Sequence, residues 1–452
     1  MWYAARVLRC AVAAAALLGG GACSDAILLE VTGDRPIPTG FDTICLGVAD
    51  AADGGGAFGR VYALDGKELP QSLRVEPGSA DAAYAWVRAD RGGVPVLRAG
   101  RFVDFGGDVS LDLATCPRGS AGKPAVVGAP AGPGDARLVA SQGAGGELVV
   151  AFSIATTDVV VLDAPGGELV ATPAAARPDG ALVAVIAADV DGDCDDDLVI
   201  ATDLGPPLIW RRTGTTFTPG DALGSGAVAA VAAADVDRDG AVDLITATAT
   251  TLLLWRNDGA GAFAADDRAL QAGSRLTSAR ALATADLDGD GVPDLVVGQA
   301  GAPLAAWLGD GSGFQPNDAA VPPVPLDVAR FELADADGDF DPDLAVASAV
   351  DPLRIYINRG DGLLADQSHV VLGDSPPVAH ALAIAAWDEG CPPDAAIASD
   401  AGGPALRGDS NGALLFDADL PPASDVVFVD IDDDGDQDAI LSTMEGAAWL
   451  AR

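Results

Sequence analysis

The chain has 452 residues, in which 67 acidic side chains stand against 26 basic ones for a formal net charge of −41. So anionic a chain excludes a nucleic-acid binder, which needs basic patches facing the phosphate backbone. Gly 56 and Pro 30 punctuate a composition that is 49% hydrophobic. No apolar run reaches the roughly 18 residues of a spanning helix, so the reading is a soluble, turn-rich, all-β protein.

In chain order, residues 1–22 carry Arg6 and Arg9 without an acid, then the apolar stretch Ala11 to Leu18 and a run of small residues, Gly19 to Ala22, before Cys23. That pattern reads as a signal peptide. The small residues before the cysteine resemble the lipobox of bacterial lipoproteins, which implies lipidation of Cys23 and anchoring to a membrane. Gly20 stands where that pattern prefers Leu, so an ordinary cleaved signal is the alternative, giving a secreted or periplasmic protein. Ser24 after the cysteine resembles the signal that sends such lipoproteins to the outer membrane or cell surface. Export would place Cys45, Cys116, Cys194 and Cys391 in an oxidising compartment where pairing is expected.

Residues 23–118 form the first domain of this reading. Short alternating runs, Ile27–Val31, Thr43–Val48, Arg60–Leu64, Tyr84–Val87, Val94–Leu97 and Val109–Leu113, predict a small β-sandwich. Cys45 and Cys116 sit in or beside its second and last strands, which predicts a bridge across the sandwich worth about 4 kcal/mol in the chain-entropy model.

Beyond residue 119 the chain repeats itself. Acidic nine-residue loops run Asp189 to Asp197, Asp235 to Asp243, Asp286 to Asp294, Asp335 to Asp343 and Asp430 to Asp438, and decayed copies start at Val139 and Ala386. The seven starts lie about 48 residues apart. Each loop joins two hydrophobic runs as a hairpin, and a third run follows, ending in four of the units in an aromatic and a Gly-rich turn: Trp210 to Phe217, Trp255 to Phe263, Trp307 to Phe314, Tyr356 to Leu363. Four short strands per period predict a seven-bladed β-propeller over residues 119–452, with Ala-rich innermost strands and aromatics that pack between blades. The last unit stops after its third strand, so Pro124 to Pro130 is predicted to supply the fourth and close the ring.

These loops, together with Asn257-Asp-Gly-Ala-Gly-Ala-Phe263, resemble the FG-GAP/VCBS repeat family, the calcium-loop propellers that include the integrin alpha-subunit head. The resemblance covers residues 119–452 and implies calcium. Hard oxygens at alternating positions 1, 3, 5 and 9, with a carbonyl from position 7, suit that ion. The expected ligands are Asp189, Asp191, Asp193, Asp195 and Asp197; Asp235, Asp237, Asp239, Ala241 and Asp243; Asp286, Asp288, Asp290, Val292 and Asp294; Asp335, Asp337, Asp339, Asp341 and Asp343; Asp430, Asp432, Asp434, Asp436 and Asp438. Calcium is expected in these five blades, and blades 1 and 6, short of acids, are expected to hold none. Cys194 and Phe340 stand where Gly is usual, which questions the tightness of those two turns. Cys194 and Cys391 occupy equivalent positions three blades apart and are predicted not to bond to each other.

His369 and His380 are the only histidines, and no nucleophile elbow, phosphate loop or zinc signature occurs, so the expected function is a non-enzymatic binding or adhesion scaffold. Its partner is an unidentified protein or polysaccharide, and a monomer suffices. The alternative is an enzyme or a small-anion or sugar receptor at the channel mouth, using Arg280, Arg330 and His380. Two Arg-Gly-Asp tripeptides, Arg359 to Asp361 and Arg407 to Asp409, fall in the turn after the third strand and are read as turn chemistry rather than integrin ligands.

Overall fold

The computed structural model describes residues 27–451 except 34–42, 51–57, 64–70, 76–81, 92–93, 105–107, 114–124, 133, 143–146, 154–157, 165–167, 175–176, 267–269, 271–275, 318, 338–340, 386, 388–392, 409–412 and 433–436. Before residue 125 the backbone path alone is described. Cys23, Cys116, Cys391, Asp339, Asp434 and Asp436 therefore lie outside the described residues, as does the side chain of Cys45.

The N-terminal region holds seven strands, one more than the sequence suggested. The addition is Gln71–Val75, a short run with only Leu73 and Val75 apolar, between Pro70 and Pro77. It pairs antiparallel with Ile27–Gly33, whose other edge takes Asp108–Leu113 in parallel. A four-stranded antiparallel sheet is built from Phe58–Ala63, Thr43–Asp50, Ala82–Arg91 and Val94–Asp104 in that spatial order. Two such sheets are the ingredients of the expected sandwich.

From Ala125 to Ala451 the described residues form seven antiparallel sheets, one per sequence repeat, six of four strands and the fourth with a fifth strand, Pro325–Asp327, added to its second. Their first strands are Ala136–Ser141, Leu182–Ala188, Ala230–Ala234, Ala279–Ala285, Arg330–Ala334, Ala381–Ala385 and Asp425–Val429. Each touches the next, and the seventh touches the first, so the ring is closed. Seven inner strands crowd one axis, and alanine is what fits there. The second strands, such as Asp197–Thr202, Asp243–Ala247 and Asp394–Ala398, are buried at every residue. That is why they read as unbroken apolar runs and not as alternation.

The core lies between neighbouring sheets. Ile245 and Leu254 of blade 3 pack on Leu295, Trp307 and Phe314 of blade 4, and Trp210 of blade 2 packs on Val150 and Phe152 of blade 1. Trp210, Trp307, Tyr356 and Trp387 are almost wholly enclosed, as the packing role predicts. Trp387 also meets Phe428 of blade 7 with ring centroids 5.1 Å apart. Closure follows the sequence reading: Gly446–Ala451 pairs antiparallel with Ala125–Ala131 in the register Trp449↔Val127 and Ala451↔Ala125. The N-terminal strand thus covers an edge that would otherwise recruit another chain.

Charges also cross the ring. Asp425, buried on the first strand of blade 7, accepts the Leu138 amide of blade 1 at 2.9 Å and is ion-paired with Arg330 of blade 5 and, at 3.8 Å, with Arg137 of blade 1. Glu332 beside them is half-buried, and desolvation pushes its carboxyl up to about 7 despite the Arg330 charge.

Candidate metal centres

Each acid loop is shaped by its own first and fifth carboxylates. Asp189 accepts the Gly192 and Cys194 amides at 2.8 and 2.9 Å. Asp235 does the same for Asp239 and Gly240, and Asp286 for Gly289 and Gly291. The fifth acid accepts the amide of the seventh residue, as Asp193 does from Asp195, Asp239 from Ala241 and Asp290 from Val292. These bonds wind the chain so tightly that positions 4 and 6 enter the left-handed region, for example Gly289 at φ 75° and Gly291 at φ 80°. Cys194, where Gly was expected, adopts φ 72° all the same. The turn therefore keeps its shape at a cost of roughly 1–2 kcal/mol, and Cys194 is fully buried and disulfide-bonded.

The winding turns carboxylates inward. One oxygen each of Asp189, Asp191 and Asp193 lies within 4.8 Å of the others, and the same holds for Asp235, Asp237 and Asp239, for Asp286, Asp288 and Asp290, and for Asp335, Asp337 and Asp343. The predicted first, third and fifth positions are thus brought together in blades 2, 3 and 4. Blade 5 gathers its first, third and ninth. In blade 7 Asp430, Asp432 and Asp438 are described without forming such a group among the described residues. Asp430 instead donates its amide to Glu147 of blade 1 at 2.8 Å, so the acid surviving in the decayed first repeat joins the two ends of the ring.

The ninth acid has a task that sequence reasoning missed. Asp294 accepts the Leu287 amide of its own loop at 2.8 Å and the Gly309 amide after the third strand at 2.7 Å. Asp343 repeats this with Ala336 and Asn358, and Asp243 with Val236 and Asn257. Asp394 of blade 6 makes the same pair, with Trp387 and Gly408, although its loop has Ala386 first and Gly390 fifth. The ninth carboxylate is therefore a stitch from loop to third strand whether or not the loop can hold an ion. Asp394, retained in a loop that lost its first and fifth acids, was the signal. At position 7, Asp195 turns its carboxylate to the Gly214 amide at 3.2 Å, and Ala241 and Val292 can offer only a backbone carbonyl.

Burial, and after it neighbouring carboxylates, opposes ionisation here. Asp197, Asp235 and Asp294 are pushed up to about 7, Asp343 to about 8 and Asp193 to about 6. Asp191 Oδ1 is buried and accepts no hydrogen bond. A set of hard oxygens with mutual repulsion and a spare buried lone pair fits a divalent cation, which would replace protons as the counter-charge. In stripped protein these carboxyls hold protons that the unfolded chain, titrating near 3.9, has released. Stability in chelator is therefore expected to fall as pH rises from about 4 through about 7–8, giving a higher Tm at pH 5 than at pH 8.5. A stripped protein that melts higher at pH 8.5 would contradict the protonated clusters.

Each residue of the basic trio has its own acidic partner. Arg330 pairs with Asp425, Arg280 with Asp327 at 3.4 Å, and His380 with Asp400 at 2.9 Å. Each is committed to a different acid. The first Arg-Gly-Asp tripeptide is the tight turn expected: Gly360 and Gly362 have φ 71° and 72°, Asn358 Oδ1 accepts the Arg359 amide, and Asp361 accepts the Leu363 amide. Sister Gly259 and Gly261, at φ 79° and 77°, match it. Asp409 lies outside the described residues. The double change Asp361→Glu with Asp409→Glu is expected to leave any cell-surface adhesion unchanged in a cell-attachment assay; lost adhesion would restore the integrin-ligand reading.

Ring and loops together define a seven-bladed β-propeller built on acid-loop repeats. The FG-GAP-like repeat model matches three times, over residues 189–246, 235–297 and 286–346, each match running from one acid loop into the second strand of the following blade. Residues 189–346 thus carry FG-GAP-like repeats, set within a closed seven-bladed ring. Comparison with curated proteins finds no match. Among solved structures, one on the specific recognition of non-reducing terminal N-acetylglucosamine by an Agrocybe aegerita lectin is similar at 17% identity, covering 71% of this chain and 86% of that one, with a TM-score of 0.48. Two structures of BBS1N in complex with ARL6DN are similar at 13% identity. They cover 68% and 74% of this chain and 86% and 93% of theirs, with TM-scores of 0.44 and 0.46. Among the described residues no helix is long and apolar enough to cross a membrane.

Proposed function

We propose that the protein is an exported, non-enzymatic binding scaffold, anchored through Cys23 at the cell envelope or secreted, whose propeller is stabilised by calcium and presents a surface to a protein or polysaccharide partner. The observation that carries the scaffold reading is the commitment of Arg280, Arg330 and His380 to three separate carboxylates, which leaves the alternative receptor or enzyme at the channel mouth without its basic trio. The calcium reading rests on the four convergent acid groups, the buried spare oxygen of Asp191 and the FG-GAP-like repeats that contain them. A pull-down from native envelope, with and without calcium, tests the whole: a partner retained in calcium and released by chelator supports it. A chain that turns over a small molecule and retains no macromolecule would replace the scaffold with the channel-mouth alternative.

A further inference from the structure

The four acid groups are not equivalent, because the residue after the third-strand aromatic differs between blades. Third strands pair in one register, Leu198↔Trp210, Leu244↔Trp255, Leu295↔Trp307 and Leu344↔Tyr356, so Arg211, Arg256, Leu308 and Ile357 occupy one site in blades 2 to 5. Arg211 Nη1 lies 2.7 Å from Asp197 Oδ2 and 3.5 Å from Asp191 Oδ2, while its Nη2 donates to the Gly261 carbonyl in the turn of blade 3 at 3.0 Å. Arg256 repeats this one blade on: 2.9 Å to Asp243, 3.2 Å to Asp237, and 2.7 Å from Nη2 to the Ser312 carbonyl in the turn of blade 4. Both guanidinium side chains are largely buried. Leu308 and Ile357 bring no charge to the corresponding acids.

We propose that Arg211 and Arg256 are resident counter-cations that hold the loops of blades 2 and 3 closed, and dock them on the next blade, without a metal ion, so that calcium governs the loops of blades 4 and 5 far more strongly. A positive charge within 4 Å of two carboxylates relieves their repulsion when no ion is bound, and the same charge repels an arriving divalent cation. In blades 4 and 5 no described arginine is ion-paired with the third or ninth acid; Arg238, at the blade 4 loop, donates to the Asp290 backbone carbonyl at 3.0 Å, so relief between those carboxylates falls chiefly to the cation. Interblade docking through a guanidinium that already touches the third and ninth acids makes loop closure and blade contact one event.

The inference rests on the calcium reading above, and hydrogen exchange on the full chain in calcium and in chelator separates the two. In the unaltered protein, amides of 286–294 are expected to exchange about tenfold faster in chelator, while those of 235–243 change less than about twofold. Arg256→Gln should make 235–243 as chelator-sensitive as 286–294. Leu308→Arg should lower the sensitivity of 286–294, with Leu308→Met as the control for bulk; if the arginine variant does not fold, Arg256→Gln decides alone. Equal sensitivity of both loops in the unaltered protein, or no change in Arg256→Gln, overturns the proposal and leaves calcium binding standing. No response to calcium at any loop overturns both.

Discussion

Calcium removal is expected to lower the melting temperature of the propeller by up to about 10 °C while sparing any transition that belongs to the N-terminal sheets. The acid loops all lie after residue 188, so the ion can act only on the ring. With a dissociation constant of about 0.1 mM, in the weak range of extracellular modules, about 2 mM calcium adds about 1.8 kcal/mol per site and at most about 7 kcal/mol over the four convergent groups. An unfolding entropy of about 2.1 cal/mol/K per residue over about 330 residues converts that sum into the expected shift. It is comparable to the whole stability of many domains, because unneutralised loops would keep several buried carboxylates against one another. Calorimetry with and without chelator measures it, and an unchanged profile would remove calcium from the stability of the fold.

Asp425→Ala is expected to cost about 3–5 kcal/mol, or about 4–7 °C, because it strands a buried charge. Arg330 would lose its carboxylate across the channel, and the Leu138 amide would lose its acceptor. The link joins blade 7 to blades 5 and 1, so the damage falls on ring closure and not on one sheet. Replacing both partners, Asp425→Leu with Arg330→Met, is expected to recover part of the loss, since the pair itself leaves no uncompensated charge while the Leu138 amide and Arg137 still lose their carboxylate. Thermal melts of the single and double variants check this; a single variant within about 1 kcal/mol of the parent would show that water already satisfies the channel charges.

The amino-acid sequence determined the blades and their number, the position of the acid loops, and the closing strand at 125–131, because each of these is written in contiguous residues. Hairpin runs meet across nine-residue loops, Gly-Asp turns bend their own backbone, and a repeat missing its fourth strand announces that another segment must supply one. The strand Gln71–Val75 escaped that grammar, since two apolar residues between prolines carry almost no periodic signal. Tertiary structure alone decided what the charged residues do. Asp294 reads as a metal ligand in sequence, yet its two oxygens hold amides in its own loop and after the third strand, and Asp394 does the same in a loop that has lost its first and fifth acids. Arg211 and Arg256 carry no signal of their role in sequence; the ring sets each against two carboxylates and the next blade's turn. Asp425 meets Leu138, and Glu147 meets Asp430, across most of the length of the propeller sequence, and Asp425 meets Arg330 two blades away. Backbone pairing follows local pattern, whereas the partner of a buried charge is whichever group the closed ring brings within reach, and no spacing along the chain encodes that.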